Sequence, residues 1–415
     1  MFKSILILSF ALSICLGSEK VRYDNHKVIR IDISNLGQLR WLKDIENYER
    51  EYKFFEPPSA IGTSVNLVVP PHKLKETNAK LDQLNVKYET VFDDLQAVID
   101  AEKVGNREDE FNWNSYFPLD NIYQWVGKFA LENSKYVTPF EIGKSYEGRP
   151  ILGVKISYKE GNPGIFIETN IHAREWITSA TVTWIMNELL NSNDTAVRDI
   201  AENIDWYIIP VLNVDGFEFS HTSNRLWRKT RRPTSSLCYG VDGNRNFEYL
   251  WFTGGSSNNP CSDTYAGPNA FSEPETKALA QFYDTIHQNI TAYLSFHSYG
   301  QYLLYTYGSP AAETVNNEDE HIYVANATIT KLAERYGTKY VTGSTLNALY
   351  ECSGLSTDWA KGVYDVPFSF TYEFRDNGAT GFLLPADQII PNAEETLDSL
   401  VEFVARARDL GYFKK

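Results

Sequence analysis

The chain has 415 residues, which is enough for two domains or for one large domain with an appendage. Hydrophobic residues make up 43% of it and charged residues 22%, proportions that indicate a folded globular protein and argue against a disordered chain. The net charge is −15 and no stretch is strongly basic, so the sequence argues against binding to nucleic acid or to an anionic membrane surface.

The N-terminus has the composition of a secretory signal peptide. Lys3 precedes an almost wholly apolar run over residues 4–16, and the small residues Gly17 and Ser18 follow it. The run is too short to cross a bilayer comfortably. We therefore predict a signal peptide over residues 1–17 and a secreted, extracellular protein without a membrane partner.

Three cysteines stay in the chain once the signal peptide is removed. Cys238 and Cys261 bracket a loop rich in glycine, serine and asparagine, and export makes a disulfide between them the predicted pairing. Cys352 is then the free thiol. Three sequons, which are candidate glycosylation sites, begin at Asn193, Asn289 and Asn326.

Residues 18 to about 103 are predicted to form a small domain of their own. Alternating apolar residues indicate its strands, and apolar residues at helical spacing indicate its helices. The predicted strands are 28–33, 65–69 and 86–92, and the predicted helices are 36–48 and 74–84. Strands that alternate with two helices predict a two-layer α/β open sandwich of the split βαβ type.

A charged connector follows the small domain. Residues 93–110 begin with a helical pattern and end in a strongly charged stretch that contains a glycine. Lys103 and Arg107 lie in that stretch, and exposed backbone beside basic residues is a preferred place for proteolysis. The connector is therefore either an ordinary linker or the target of a trypsin-like protease.

Strands and helices alternate from residue 111 to the C-terminus. This order predicts an α/β fold, in which a mixed, largely parallel twisted sheet carries helices on both faces. The predicted strands are 141–142, 151–156, 165–168, 206–212, 292–296, 338–341 and 368–374. The predicted helices are 119–133, 176–190, 273–287, 322–336 and 394–410. Residues 213–272 show little periodicity, and so long an irregular region usually carries function.

Two histidines lie at the ends of predicted strands. His172 and Glu175 come between a strand and a helix, at the edge where open α/β sheets bind ligands, and His297 ends another apolar strand. Zinc in a hydrolase takes three protein ligands and leaves one position open, and these residues would supply the three. A plainer interpretation makes the first two residues part of a turn and helix cap, and the third a hydrogen-bonded core histidine.

Three further groups of polar residues favour the zinc hypothesis. Four cations lie within residues 224–231, which is unusual in an acidic chain. Asn244 and Arg245 lie in a loop bordered by glycine, and an arginine beside an asparagine offers planar donors for a carboxylate. Glu373 lies in a strand of apolar and aromatic residues, where burial would raise its pKa as a general base requires.

Eight motifs, in this order, resemble those of the secreted zinc metallocarboxypeptidases of the pancreatic A/B type: IHAREW, NRLWRKTR, DGNRNF, SFHSY, LYECSG, STDW, FTYEFRDNG and GFLLPADQIIP. The resemblance covers nearly the whole chain. It implies a zymogen, with an activation pro-domain and connector over residues 18–107 and a catalytic domain of the carboxypeptidase fold over residues 108–415. It also implies peptide and protein substrates, a trypsin-like activating protease and inhibition by the chain's own pro-domain, and we expect a monomer.

The resemblance also implies a role for individual residues. It implies one Zn²⁺ per chain, with the ligands His172, Glu175 and His297. Glu373 would be the general base that activates the zinc-bound water, Arg228 would stabilise the oxyanion of the tetrahedral intermediate, and Asp242 would orient the first histidine. The implied substrate-binding residues are Arg174, Asn244, Arg245, Tyr299, Tyr350 and Thr357. The predicted disulfide matches one of the family.

The preferred C-terminal residue of the substrate depends on position 357. Family members that remove lysine or arginine have an aspartate where this chain has Thr357, so the resemblance implies an A-type preference for aliphatic or aromatic ends. Glu351, Cys352 and Leu355 depart from the usual residues and leave the rim of the pocket undefined. Two alternatives stay open: a B-type enzyme for basic ends, and an inactive carboxypeptidase-like binding protein.

Overall fold

The computed structural model describes residues 20–414, so the predicted signal peptide lies outside the described residues. Within this range the chain forms two sheets, one of four strands and one of eight. No helix between residues 20 and 414 is both long enough and apolar enough to cross a membrane.

The four-stranded sheet belongs to the small N-terminal domain. Its strands are β1 (Lys27–Asp32), β2 (Lys53–Phe54), β3 (Ser64–Val69) and β4 (Tyr88–Phe92), and its helices are α1 (Leu36–Tyr48), α2 (Leu74–Gln83) and α3 (Leu95–Asp100). The strand order is β2-β3-β1-β4 with every pair antiparallel, which confirms the split βαβ arrangement. The sequence did not reveal β2, because a strand of two residues shows no alternation.

The two faces of this small sheet pack against different partners. Ile29 and Ile31 of β1 belong to a cluster with Leu42 of α1, whereas Val28 belongs to a cluster that includes Leu226 and residues near the C-terminus. Successive strand residues point to opposite faces. One face therefore packs on the domain's own helices and the other packs on the large domain.

The large domain is built on the eight-stranded sheet. Its strands are β5 (Val137–Lys144), β6 (Pro150–Ile156), β7 (Gly164–Thr169), β8 (Asp205–Ile209), β9 (Ile290–His297), β10 (Tyr302–Tyr305), β11 (Val341–Ser344) and β12 (Phe368–Glu373). Its helices are α4 (Leu119–Glu132), α5 (Trp176–Asn191), α6 (Thr195–Asn203), α7 (Val214–Thr222), α8 (Pro274–Ile286), α9 (Glu318–Tyr336), α10 (Thr345–Ala348), α11 (Ser356–Tyr364) and α12 (Ile389–Asp409).

The strand order is β11-β10-β12-β9-β7-β8-β6-β5. The four central strands, β12, β9, β7 and β8, run parallel, and antiparallel pairs join β10 to β12, β8 to β6 and β6 to β5. Tyr293 of β9 contacts Tyr283 of α8, while Phe370, on the opposite face, contacts Phe403 of α12. The mixed, largely parallel sheet with helices on both faces is thus confirmed.

The sequence prediction missed several short elements of the large domain. β10 has only four residues, and the strand predicted at 338–341 lies almost entirely before β11, whose Thr, Gly and Ser residues give no apolar pattern. α7 begins inside the region predicted to be irregular. The Asn213 side chain caps this helix by accepting a hydrogen bond from the Gly216 amide at 3.0 Å. The cap stabilises a helix whose residues form helices only weakly.

Candidate active site

The site lies where three neighbouring parallel strands end. β7, β9 and β12 are adjacent, so their carboxyl ends meet at one edge of the sheet. His297 is the last residue of β9 and Glu373 the last of β12, and the two pair directly in the strand register. His172 follows β7 in a turn that begins at Asn170, whose φ of 50° is left-handed and whose side chain donates to the Glu175 carbonyl at 2.8 Å.

Three buried side chains converge on one point at this edge. The Nδ1 atoms of His172 and His297 lie 3.1 Å apart. Glu175 Oε1 lies 2.8 Å from Nδ1 of His172, and Glu175 Oε2 lies 3.2 Å from Nδ1 of His297. Each residue offers one ligand atom, and these atoms lie within 4.8 Å of one another. Two ring nitrogens and a carboxylate that face the same point form a donor set that suits zinc, so the residues fit the predicted metal.

Asp242 holds the outer side of His172. It lies 3.0 Å from the imidazole Nε2 through Oδ1 and accepts a hydrogen bond from Arg228 Nη2 at 2.9 Å through Oδ2. Although burial acts to raise it, Arg228 and His172 hold the pKa of Asp242 well below its usual range. An ionised carboxylate at this position accepts the Nε2 proton and leaves Nδ1 of the imidazole free to bind a metal.

Glu373 lies beside the three metal-binding residues, and its pKa is shifted in the opposite direction from that of Asp242. Burial raises its pKa to about 8, against the opposing influence of His297. A carboxylate of raised pKa next to a metal centre has the basicity that proton transfer near neutral pH requires.

Most of the predicted residues line a single cavity. They are His172, Glu175, Arg228, Asn244, Arg245, His297, Tyr299, Tyr350 and Glu373. Arg174 lies in a neighbouring cavity, which shares Arg228 with the first. Thr357 is buried behind Thr371, a lining residue whose hydroxyl oxygen lies 3.4 Å from that of Thr357. The structure therefore brings the predicted residues together, with Asp242 and Thr357 one layer behind the cavity wall.

The small domain also contributes to this cavity. Phe55, Glu56 and Pro57, which follow β2, line it together with the metal-binding residues. Arg174 Nη2 donates to the Phe55 carbonyl at 2.9 Å, and the Tyr299 hydroxyl donates to the Glu56 carboxylate. No sequence pattern indicated these contacts, because they depend on the docking of two domains.

Thr371, Glu168 and Ser295 are further residues of the site that the sequence analysis overlooked. A signal for Glu168 was present, since it is a charged residue in the apolar strand β7, as Glu373 is in β12. The predicted disulfide joins Cys238 to Cys261, and Cys352 is a buried free thiol whose residue lines the cavity.

The fold and the site together define a zinc-dependent hydrolase. The profile of the zinc carboxypeptidase family matches residues 122–399, and that of the carboxypeptidase activation peptide matches residues 29–102. The chain belongs to the zinc carboxypeptidase family, and it is an A-type procarboxypeptidase. Carboxypeptidase A is itself the standard example of the His, Glu, His ligand set, so that set is not independent evidence.

Similar proteins span almost the whole chain. It is 41% identical to zinc carboxypeptidase A 1 of Anopheles gambiae, over 99% of this chain and 96% of that protein. It is 38% identical to carboxypeptidase A1 of Homo sapiens, over 95% of this chain and 96% of that protein. Among solved structures, carboxypeptidase A from Helicoverpa armigera has a TM-score of 0.80 and 28% identity, with 93% of this chain and 98% of that chain covered.

Proposed function

We propose that the protein is a secreted zymogen whose mature form removes aliphatic or aromatic C-terminal residues from peptides and proteins. The observation that carries this proposal is the convergence of the His172, Glu175 and His297 ligand atoms beside Glu373 in one cavity. When bound, zinc would polarise the scissile carbonyl and lower the pKa of a water molecule. Glu373 takes a proton from the attacking water and delivers it to the leaving amine.

Arg228 is placed to stabilise the negative charge that develops on the scissile carbonyl oxygen. Its guanidinium lines the cavity, and its bonds to Asp242 fix its position before substrate arrives. Preorganised donors of this kind stabilise a transition state without reorganising during the reaction.

The terminal carboxylate of the substrate is proposed to bind to Asn244, Arg245 and Tyr350. Arg245 is buried, and its Nη1 donates to the Asn244 carbonyl at 2.8 Å, so its planar guanidinium is held in place. A fixed guanidinium binds a carboxylate with good geometry. Free C-terminal residues are recognised in this way, whereas internal peptide bonds lack the charge.

The cavity wall supports a preference for apolar ends. Part of the wall consists of the neutral residues Leu304, Leu349, Leu355 and Thr371. Glu351, an acidic residue between the lining residues Tyr350 and Cys352, is exposed and packs against Gly254 outside the cavity. An apolar side chain gains about 1.5–3 kcal/mol on burial, while an unpaired cation would lose several.

The pro-domain is proposed to inhibit the enzyme by occupying the substrate site. With the loop of Phe55, Glu56 and Pro57 in place, the cavity measures only about 80 Å³. Arg174 and Tyr299, which we propose contact the substrate, are bonded to this loop instead. A trypsin-like protease that cuts after Lys103 or Arg107, both exposed, would release the loop.

One experiment tests this function. The full chain is treated with trypsin and offered peptides that end in Phe, Leu, Lys or Glu, with and without a zinc chelator. We expect chelator-sensitive release of Phe and Leu after trypsin and little release before it. Equal activity before and after cleavage would contradict the zymogen, and activity that survives complete zinc removal would contradict the metal.

A further inference from the structure

We propose that Glu168, acting through Ser295, is a positioning residue that prepares His297 for the metal. This inference rests on the proposed zinc site. Glu168 in β7 pairs with Ser295 in β9 in the strand register, and His297 lies two residues further along the same face of β9. Ser295 Oγ donates to the Glu168 carboxylate and lies 2.8 Å from His297 Nε2. All three side chains are buried.

The donor and acceptor of each hydrogen bond between Glu168, Ser295 and His297 follow from the number of protons available. The Ser295 hydroxyl has one proton and donates it to Glu168 Oε1, which as part of an ionised carboxylate is an acceptor only. The Ser295 oxygen is then free to accept the proton on His297 Nε2. That proton leaves Nδ1 with its lone pair, and Nδ1 is the atom that faces His172 and Glu175. The buried carboxylate thus selects the metal-binding tautomer of the imidazole.

The other neighbour of His297 Nε2 cannot replace Ser295. Asn244 Nδ2 lies 3.3 Å from this nitrogen, but an amide NH₂ is a donor and cannot accept the imidazole proton. Its orientation is fixed because Oδ1 of the same amide accepts the Ser356 amide proton at 2.9 Å. The Ser295 hydroxyl is therefore the acceptor for the Nε2 proton.

The surroundings of Glu168 argue against a purely structural role. The residue is fully buried, and its Oε2 has no hydrogen-bond partner in the described part of the chain. Its Oε1 accepts from both Ser295 and Ser356, so its hydrogen bonds gather on the side of the imidazole. A buried carboxylate with one unsatisfied oxygen costs stability, and an apolar residue would pack there without that cost.

The two metal-binding histidines are thus supported by carboxylates in two ways. Asp242 contacts His172 directly and is also paired with Arg228. Glu168 reaches His297 through one intervening hydroxyl. Removing the hydroxyl should therefore disconnect the second carboxylate without leaving a new buried charge.

The test measures zinc affinity in the full chain by competition with a chelator. We expect Ser295→Ala to weaken zinc binding by about 10- to 100-fold, as is usual when a residue that orients a metal ligand is lost. The matched control is Ser399→Ala, which removes a buried serine hydroxyl bonded to Tyr372 and Thr396, away from the site. The control should bind zinc as the wild type does, and the melting temperatures of the two metal-free variants should be alike.

A second variant tests whether Glu168 acts through the serine. Glu168→Gln keeps the shape but can donate to Ser295, which turns the hydroxyl proton towards His297. We expect Glu168→Gln to weaken zinc binding in the wild-type background. It should have little further effect once Ser295 is alanine, because both changes break the same series of hydrogen bonds from Glu168 to His297. Additive losses would overturn the proposal, as would wild-type zinc affinity in Ser295→Ala. Failure of the wild type itself to bind zinc would instead contradict the proposed function.

Discussion

The two sheets of this molecule contribute to the active site in different ways. In the large sheet, the parallel strands β7, β9 and β12 end at one edge, and their ends supply metal-binding and catalytic candidates. In the small sheet every neighbouring pair is antiparallel, so successive strands end at opposite edges. Its contribution to the cavity is a loop, Phe55 to Pro57. Parallel pairing gathers reactive side chains, whereas the antiparallel domain supplies a shape that covers them.

The two contributions also differ in how firmly they are held. The metal-binding side chains lie at one edge of a continuous sheet, next to the largest hydrophobic cluster of the described residues. The small domain is held to the large one by a modest apolar cluster, by hydrogen bonds at the loop and by the buried pair of Glu102 with Arg225, 2.7 Å apart. A single cut in the connector can therefore loosen the small domain without disturbing the metal-binding residues.

The largest effect is expected when Glu373 is changed, because this residue tests the role of the large sheet directly. Glu373→Gln removes the proposed general base, a loss that typically costs about two to four orders of magnitude in rate. We expect the loss in the turnover number, measured after trypsin activation, with zinc still bound. Since the base acts only when deprotonated, wild-type activity should fall as pH decreases, with an acid limb above the ordinary carboxyl pKa of 4.5.

A matched control is available for this variant. Glu275 is another buried glutamate whose pKa burial raises to about 8, but it lies on α8 and accepts a hydrogen bond from the Tyr146 amide. Glu275→Gln should keep its turnover number. Near-normal turnover of zinc-loaded Glu373→Gln would remove Glu373 from the mechanism.

The second prediction concerns the pocket of the large sheet. A C-terminal lysine or arginine would be buried near Thr357 and Thr371, whose neutral hydroxyl groups do not balance its charge. We expect Phe, Tyr or Leu ends to exceed Lys or Arg by at least about 100-fold in kcat/KM, which corresponds to roughly 2.7 kcal/mol. Thr357→Asp should shift the preference towards basic ends, and the uncharged Thr357→Asn should not. A wild-type enzyme that prefers lysine would show that another carboxylate reaches the pocket.

The catalytic candidates of the large sheet could be predicted from the sequence better than the small-domain loop that covers them. His297 was predicted from the local pattern to end an apolar strand, and in the structure it ends β9. Glu373 was predicted inside the strand 368–374 with a role implied by the family resemblance, and the structure places it at the end of β12, at the same edge as His297. β2 was missed because it has two residues, and the residues after it meet partners far away in sequence: Glu56 bonds to Tyr299, 243 residues further on. Such contacts depend on how two domains dock, which hydrophobic periodicity does not encode.

The last and smallest effect concerns Glu56, the half-buried carboxyl of the covering loop. Burial raises its pKa, while hydrogen bonds from Tyr299 and the Asn66 amide and the charge of Arg174 oppose this. The docked state therefore binds a proton more tightly than the released pro-domain does. By linkage, this contribution to docking is complete below the ordinary pKa of about 4.5 and is lost as pH rises through the raised pKa.

We therefore expect the severed pro-domain to dissociate more readily at pH 8 than at pH 5, by about tenfold for each unit by which the pKa is raised. Gel filtration of the trypsin-cut protein measures this without involving the pH dependence of catalysis. Glu56→Gln should flatten the difference, because the amide does not titrate, whereas Glu89→Gln, on the exposed part of β4, should keep it. An unchanged pH dependence in Glu56→Gln would show that other titratable groups at the interface, and not Glu56, control release of the small domain.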